Sequence, residues 1–205
     1  MGRERARAVR AYIGLGANVG DPAATLAAAV HALAAVPGIR VRGVSRLYAT
    51  VPVGVLDQPA FRNAVVAADV RVPPGVSPEA AAVGLLVTLK DLERGLGRQP
   101  RARWGPREVD LDLLVFGRHA MTTERPVAGR SADPSKAALP LTVPHAEAQR
   151  RLFVLAPLAD LAPGLVPPGW RGSVATAAAR QRRVEGDDAA RAVAAWDGRD
   201  WRPTA

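Results

Sequence analysis

Two aspartates separated by one residue, Asp110 and Asp112, lie in the run Glu108-Val-Asp-Leu-Asp-Leu-Leu-Val-Phe116. In an extended strand successive side chains leave opposite faces, so both carboxylates project from one face while Leu111 and Leu113 enter the other. At about 3.3 Å of rise per residue their Cα atoms stand roughly 6.6 Å apart, and the carboxylates can converge on two cations about 3.5–4 Å apart. Hard oxygen ligands without a cysteine or histidine cluster favour magnesium over zinc. An ordinary strand with one solvated polar face shows the same pattern, so the surroundings of the pair decide its meaning.

Those surroundings are basic. From Arg94 to Arg107 the chain carries five arginines and no acid, punctuated by glycine and proline, and leads straight into the aspartate strand. Arginine forks match phosphate oxygens bidentately, and a flexible loop can fold over a nucleotide. Phosphoryl transfer rests on positioning and charge neutralisation, so paired carboxylates beside mobile arginines are its expected equipment. Glu93 closes the preceding helical stretch, where a carboxylate opposes the macrodipole at a cost of ~0.3–1 kcal/mol. That cost hints at a task elsewhere, although a solvated glutamate fits too. The run Gly14-Leu-Gly16-Ala-Asn-Val-Gly20 follows a strand and opens a helix, but Val19 occupies the third position of the dinucleotide fingerprint. It reads as a tight strand-to-helix turn. His145 follows Pro144 in Leu141-Thr-Val-Pro-His145; His31 and His119 are read as structural.

The elements that must position these groups follow from hydrophobic periodicity. Apolar runs predict four strands, Val9–Leu15, Ile39–Tyr48, Asn63–Val70 and Glu108–Phe116. Asp21-Pro22 and Ser77-Pro78 each join an N-cap side chain to a proline at the first helical position. The first helix then stripes Leu26, Val30 and Leu33, and the second Ala82, Leu85, Leu86, Leu89 and Leu92, with Gly95 and Gly97 ending it. The order β-α-β-β-α-β predicts an α+β, ferredoxin-like antiparallel sheet with helices packed on it. Short helical pieces are expected over 145–160, a surface loop over Pro126–Pro140, and a C-terminal extension from about 171 that forms a helix or stays disordered. The boundaries are then a basic arm at 1–10, the main domain at 11–170 and the tail at 171–205.

The 205 residues suffice for one domain with a proper core. No window reaches the ~18–20 continuous apolar residues of a membrane span, and the N-terminus lacks the pattern of a secretory signal. Without cysteine there is no disulfide or thiolate chemistry, which fits a reducing cytoplasm. The net charge of +9 favours polyanions, a nucleoside triphosphate among them. Lys90 and Lys136 are the only lysines, so the choice of arginine at any one site carries little weight.

Taken together, Arg103-Trp-Gly-Pro-Arg-Glu-Val-Asp-Leu-Asp-Leu-Leu-Val-Phe-Gly117 and Leu141-Thr-Val-Pro-His145 resemble the 6-hydroxymethyl-7,8-dihydropterin pyrophosphokinases. Tyr12-Ile-Gly-Leu-Gly-Ala-Asn18, Tyr48-Ala-Thr50, Asp57-Gln-Pro-Ala-Phe61-Arg-Asn63 and Arg151-Leu-Phe153-Val-Leu-Ala-Pro157 agree, in the same order, over residues 11–168. The resemblance implies a ferredoxin-like fold and transfer of a pyrophosphoryl group from ATP to a pterin alcohol, releasing AMP. It implies two magnesium ions on Asp110 and Asp112. Arg98, Arg101, Arg107 and Arg151 would hold phosphates; Glu93, Trp104, Thr142 and His145 would line the nucleotide side. Thr50, Val53 and Asn63 would face the pterin, stacked between Phe61 and Phe153. Small-molecule substrates, no nucleic acid, no membrane and a monomer are expected. Phe61 stands where many members have tyrosine, and Val51 where proline is common.

Two other readings compete. A nucleotidyltransferase also places a D-x-D pair on a strand, but needs a Gly-Ser turn before it and a third carboxylate after it. An RNA-binding ferredoxin-like module stacks bases on aromatics of its central strands. Asn63–Val70 has no aromatic residue.

Overall fold

Asp21 and Ser77 start the two predicted helices as their chemistry requires: the Asp21 carboxylate accepts from the Ala24 N–H at 3.1 Å and Ser77 Oγ from the Ala80 N–H at 3.0 Å. The computed structural model describes residues 6–52, 57–100, 105–134 and 137–204. In chain order they form β1 (Arg7–Ala17), α1 (Pro22–Ala35), β2 (Ile39–Val44), β3 (Leu47–Thr50), β4 (Phe61–Val72), α2 (Pro78–Gly95) and β5 (Asp110–Phe116). There follow β6 (Met121–Thr123), β7 (Leu141–Val143), α3 (Leu152–Leu161), α4 (Val174–Glu185), β8 (Ala190–Trp196) and β9 (Trp201–Pro203). The main sheet runs β5-β1-β4-β3-β8-β9, with β2 also paired to β4, and every pairing is antiparallel. This is the ferredoxin-like order, bearing out the expected α+β class. Among the described residues no helix is long and apolar enough to cross a membrane.

Alternation along the strands divides the core. Ile13, Leu15, Val66, Leu111 and Leu113 face α1 and α2, whose Leu26, Val30, Leu33, Leu85 and Leu89 are buried against them. Tyr12, Val65, Leu114 and Val115 face the other way, under Leu155 and Leu158 of α3 and Val174 and Ala178 of α4. The helices α3 and α4 cover only part of that second face.

The predicted strand Ile39–Tyr48 is two strands, because the ladder breaks at Ser45. There the Ser45 N–H donates to the Val65 carbonyl and Ser45 Oγ accepts from the Val65 N–H, both at 2.9 Å. Trp201 Nε1 donates to the Ser45 carbonyl at 3.0 Å, tying the C-terminus to the same point. The tail is therefore ordered: beyond α4 it adds β8 to the open edge of β3 and β9 to β8. The 126–140 connection carries a short 3-10 turn, Val127–Gly129, against α2, where Arg94 donates to the Ala128 carbonyl.

Candidate active site

Gly14 and Gly16 lie within β1, not in the turn that the sequence predicts. Gly16 pairs with Asn63 on one side and Asp110 on the other; Gly14 pairs with Val65 and Asp112. Between the aspartate strand and the asparagine strand, the middle strand thus bears no side chain at positions 14 and 16, on the partly uncovered face. A cleft opens above it. A Cβ on Gly16 would stand 2.9 Å from Asn63 Oδ1, so any side chain here would displace the Asn63 amide. The actual turn uses Gly20, at φ +67°.

The cleft gathers two groups. Asp110, Asp112, Arg107 and Arg151 line one part, and Thr50, Phe61, Asn63 and Phe153 the other. Asn63, on β4, is buried and donates from Nδ2 to Thr50 Oγ1 on β3 at 2.7 Å, which orients its amide. Phe61 opens β4 opposite Thr50. Arg151 is the N-cap residue of α3, and its guanidinium lies 5.7 Å from the ring centre of Phe153. The helix α3 is held over β3 by Asp160, which accepts from Arg46 at 2.6 Å and from the Tyr48 hydroxyl at 2.9 Å. Burial and the neighbouring Asp160 carboxylate push the Tyr48 phenol up to about 12. Glu185, at the end of α4, accepts from the Leu152 N–H at 2.9 Å and so caps α3.

At the aspartates, Arg107 NH1 donates to Asp110 Oδ2 at 2.6 Å, and Lys90 Nζ lies 3.9 Å from Asp112 Oδ1. No third His, Cys, Asp or Glu is grouped with a carboxylate pair among the described residues. Two carboxylates on one strand face suit a hard divalent ion that keeps water and phosphate oxygens in its remaining positions; zinc would want a fuller nitrogen or sulfur set.

Four predicted site residues lie apart from the cleft lining. Glu93 is 3 % exposed, and Oε1 is spent on Lys90 Nζ and the Leu111 N–H, both at 2.6 Å. Burial pushes its carboxyl above the ordinary glutamate range, with the Lys90 ammonium pulling the other way. Arg98 is buried along the outer edge of β5, donating to the Val109 carbonyl at 2.5 Å with Asp110 at 4.0 Å. Thr142 sits in β7 opposite Thr122, and the His145 N–H donates to the Leu114 carbonyl at 2.8 Å, beyond the same edge. Val53, Arg101 and Trp104 lie outside the described residues.

Two residues escaped the sequence reading. Asn18 joins the two flanks of the cleft, donating to Gln58 Oε1 and the Pro59 carbonyl while accepting from the Arg107 N–H. Lys90 is buried behind β5. The signal for Lys90 was its place on the apolar stripe of α2, four residues after Leu86.

A family model for 7,8-dihydro-6-hydroxymethylpterin-pyrophosphokinase matches residues 12–163. A Methylorubrum extorquens protein, 2-amino-4-hydroxy-6-hydroxymethyldihydropteridine pyrophosphokinase, is 43% identical over 160 residues, covering 78% of this chain and 87% of its own. The Pseudomonas aeruginosa protein of that name is 39% identical, covering 79% and 86%. Among solved structures, the wild-type Plasmodium falciparum HPPK-DHPS superposes with a TM-score of 0.70 at 14% identity over 98% of this chain. The chain spans about half (50%) of that Plasmodium protein, and at such identity the likeness speaks for the fold alone.

Proposed function

Because this chain belongs to the 7,8-dihydro-6-hydroxymethylpterin-pyrophosphokinase family, we propose that it transfers a pyrophosphoryl group from ATP to the hydroxymethyl group of 6-hydroxymethyl-7,8-dihydropterin, a step of folate biosynthesis. The observation that carries the reading is the shared cleft, lined by acids and arginines together with a buried amide and two aromatic rings. The pterin ring fits between Phe61 and Phe153, and the Asn63 amide offers both donor and acceptor to its edge. Thr50, hydrogen-bonded to that amide, fixes which way it presents them. Val53 follows Thr50 by three residues in the sequence and is assigned to the pterin on that ground alone.

The hydroxymethyl oxygen attacks the β-phosphorus of ATP, the bond from that phosphorus to the α-β bridging oxygen breaks, and AMP leaves with the electron pair. The hydroxyl proton passes to solvent or phosphate. Arg107 and Arg151, already at the cleft, hold phosphate oxygens; Arg98 and Arg101 add charge from the preceding loop. Thr142 and His145, beyond the outer edge of β5, form the adenosine side, and Trp104 is assigned to it by its place in the sequence motif. Glu93, enclosed with Lys90, is left out of the nucleotide contacts. Magnesium ions held by Asp110 and Asp112 would neutralise the triphosphate and tie it to the strand. Fixed cations and a preset amide do their work before the reaction begins, which is the basis of such catalysis.

Product analysis tests the reading. Purified protein with ATP, magnesium and the pterin should yield AMP and a pterin diphosphate, and neither without metal. Release of ADP, or a nucleotide attached to product, would assign another reaction class.

A further inference from the structure

The strand that bears both aspartates is an end strand of the main sheet, so among the described residues one of its edges has no strand neighbour in that sheet. Such an edge leaves alternate N–H and C=O groups unpaired, and the segment is free to shift or bulge. At Leu111, between the two aspartates, both groups are instead taken by side chains of α2. The Leu111 N–H donates to Glu93 Oε1 at 2.6 Å, and Lys90 Nζ donates to the Leu111 carbonyl at 2.9 Å. The two side chains close the set by bonding each other at 2.6 Å. Lys90 and Glu93 thus take the place of a missing neighbouring strand for one residue.

The location makes the device functional. Fixing both peptide groups of Leu111 fixes the backbone dihedrals on each side of it, and with them the directions in which the Asp110 and Asp112 side chains leave the strand. The same ammonium lies 3.9 Å from Asp112 Oδ1, which gives that carboxylate a fixed cation on the helix side. Both members are enclosed, Lys90 at 2 % and Glu93 at 3 % exposure. An enclosed ion pair is a poor way to gain stability alone, since apolar residues of similar volume often do as well.

We propose that Lys90, held by Glu93, is a positioning residue of the phosphate-transfer site that sets the spacing and orientation of Asp110 and Asp112 through the backbone of Leu111. The inference rests on the pyrophosphokinase reading above. It predicts a division by chemistry: a side chain that still donates to the Leu111 carbonyl preserves the site, and an apolar one of similar length does not.

The test compares Lys90→Gln with Lys90→Met. Affinity of the protein–ATP complex for Mn²⁺, read by electron paramagnetic resonance, is the primary measurement, beside turnover and the pterin KM. Lys90→Met should weaken Mn²⁺ binding by about 10–100-fold, the usual effect of removing a group that orients metal ligands. Its pterin KM should stay at the wild-type value, whereas general loosening of the fold would move both. Lys90→Gln should restore most of the Mn²⁺ affinity. If Lys90→Met no longer melts cooperatively, Lys90→Met/Glu93→Gln carries the same comparison, because it removes both charges and keeps an acceptor for the Leu111 N–H. Wild-type Mn²⁺ affinity in the Met variants, or a Gln variant as weak as Met, overturns the proposal. A wild-type protein that neither binds Mn²⁺ with ATP nor turns over the pterin overturns the functional reading itself.

Discussion

Asn18 and Arg107 exchange two hydrogen bonds across 89 residues of sequence. The Asn18 N–H donates to the Arg107 carbonyl at 2.9 Å, and Asn18 Oδ1 accepts from the Arg107 N–H at 2.7 Å. The Asn18 Nδ2 meanwhile holds Gln58 and Pro59 on the opposite flank, at 3.1 and 3.0 Å. One buried side chain therefore anchors the end of the arginine loop and the approach to Phe61. Asn18→Ala should lower kcat by about 10–100-fold, since a shift of ~1 Å in a positioned group has that effect. Asn18→Asp keeps the acceptor for Arg107 and loses the donor to Gln58 and Pro59. It should therefore raise the pterin KM more than it lowers kcat, and steady-state kinetics showing the reverse split would detach Asn18 from the pterin flank.

Gly16 tests the floor of the cleft. A methyl group there would stand 2.9 Å from Asn63 Oδ1, and the amide must turn away from Thr50 to make room. Gly16→Ala should raise the pterin KM strongly and cost ~1–3 kcal/mol of stability through overpacking. Gly14→Ala meets only the tip of Leu114, at 3.3 Å, and should be milder on both counts. Equal pterin KM values for the two variants, measured beside their thermal melts, would contradict the assigned role of Asn63.

Asp112 and Arg107 separate metal from phosphate. Asp112→Ala removes a carboxylate at the cleft, with its backbone still paired to Gly14, so turnover should vanish while circular dichroism and melting stay near wild type. Arg107→Ala should lower kcat by about 10²-fold or more with a mild effect on pterin KM, as for a group that holds the reacting phosphates and not the pterin. A raised pterin KM with unchanged kcat would move Arg107 away from the phosphates.

What could be read from the sequence was what neighbouring residues decide. Asp21 and Ser77 announce their helices because capping is settled within three residues, and Asp110 and Asp112 share a face because alternation is local. Asn63 and Thr50 were assigned together by resemblance, and the structure adds the bond between them. What was hidden depends on register between distant strands. Nothing in Gly14-Leu-Gly16 says that Asp112 and Val65 flank one glycine and Asp110 and Asn63 the other. Lys90 and Glu93, three apart on a helix, can be paired from the sequence, but that they bracket Leu111 depends on β5 lying beside them. The strand Ala190–Trp196 is rich in alanine, and its extended form comes from pairing with β3, which local propensity does not encode.

Tyr48 gives a prediction in pH. Its hydroxyl donates to Asp160 and accepts from Arg46, which together hold α3, and with it Phe153, over the pterin side of the cleft. Burial and the Asp160 carboxylate raise its pKa to about 12, above an unfolded value near 10. A raised folded-state pKa means that the folded protein keeps a proton which the unfolded chain gives up. The stability tied to that proton is fully present below about pH 10 and is lost progressively as pH rises toward 12. Chemical denaturation between pH 9 and 12 should show this decline, with absorbance near 295 nm reporting a late-titrating tyrosine. Tyr48→Phe should remove the Tyr48 share of the decline while weakening the hold of α3 on β3, so its pterin KM should rise at neutral pH. A variant whose alkaline slope and pterin KM both match wild type would show that the Arg46–Tyr48–Asp160 network neither titrates as described nor positions Phe153.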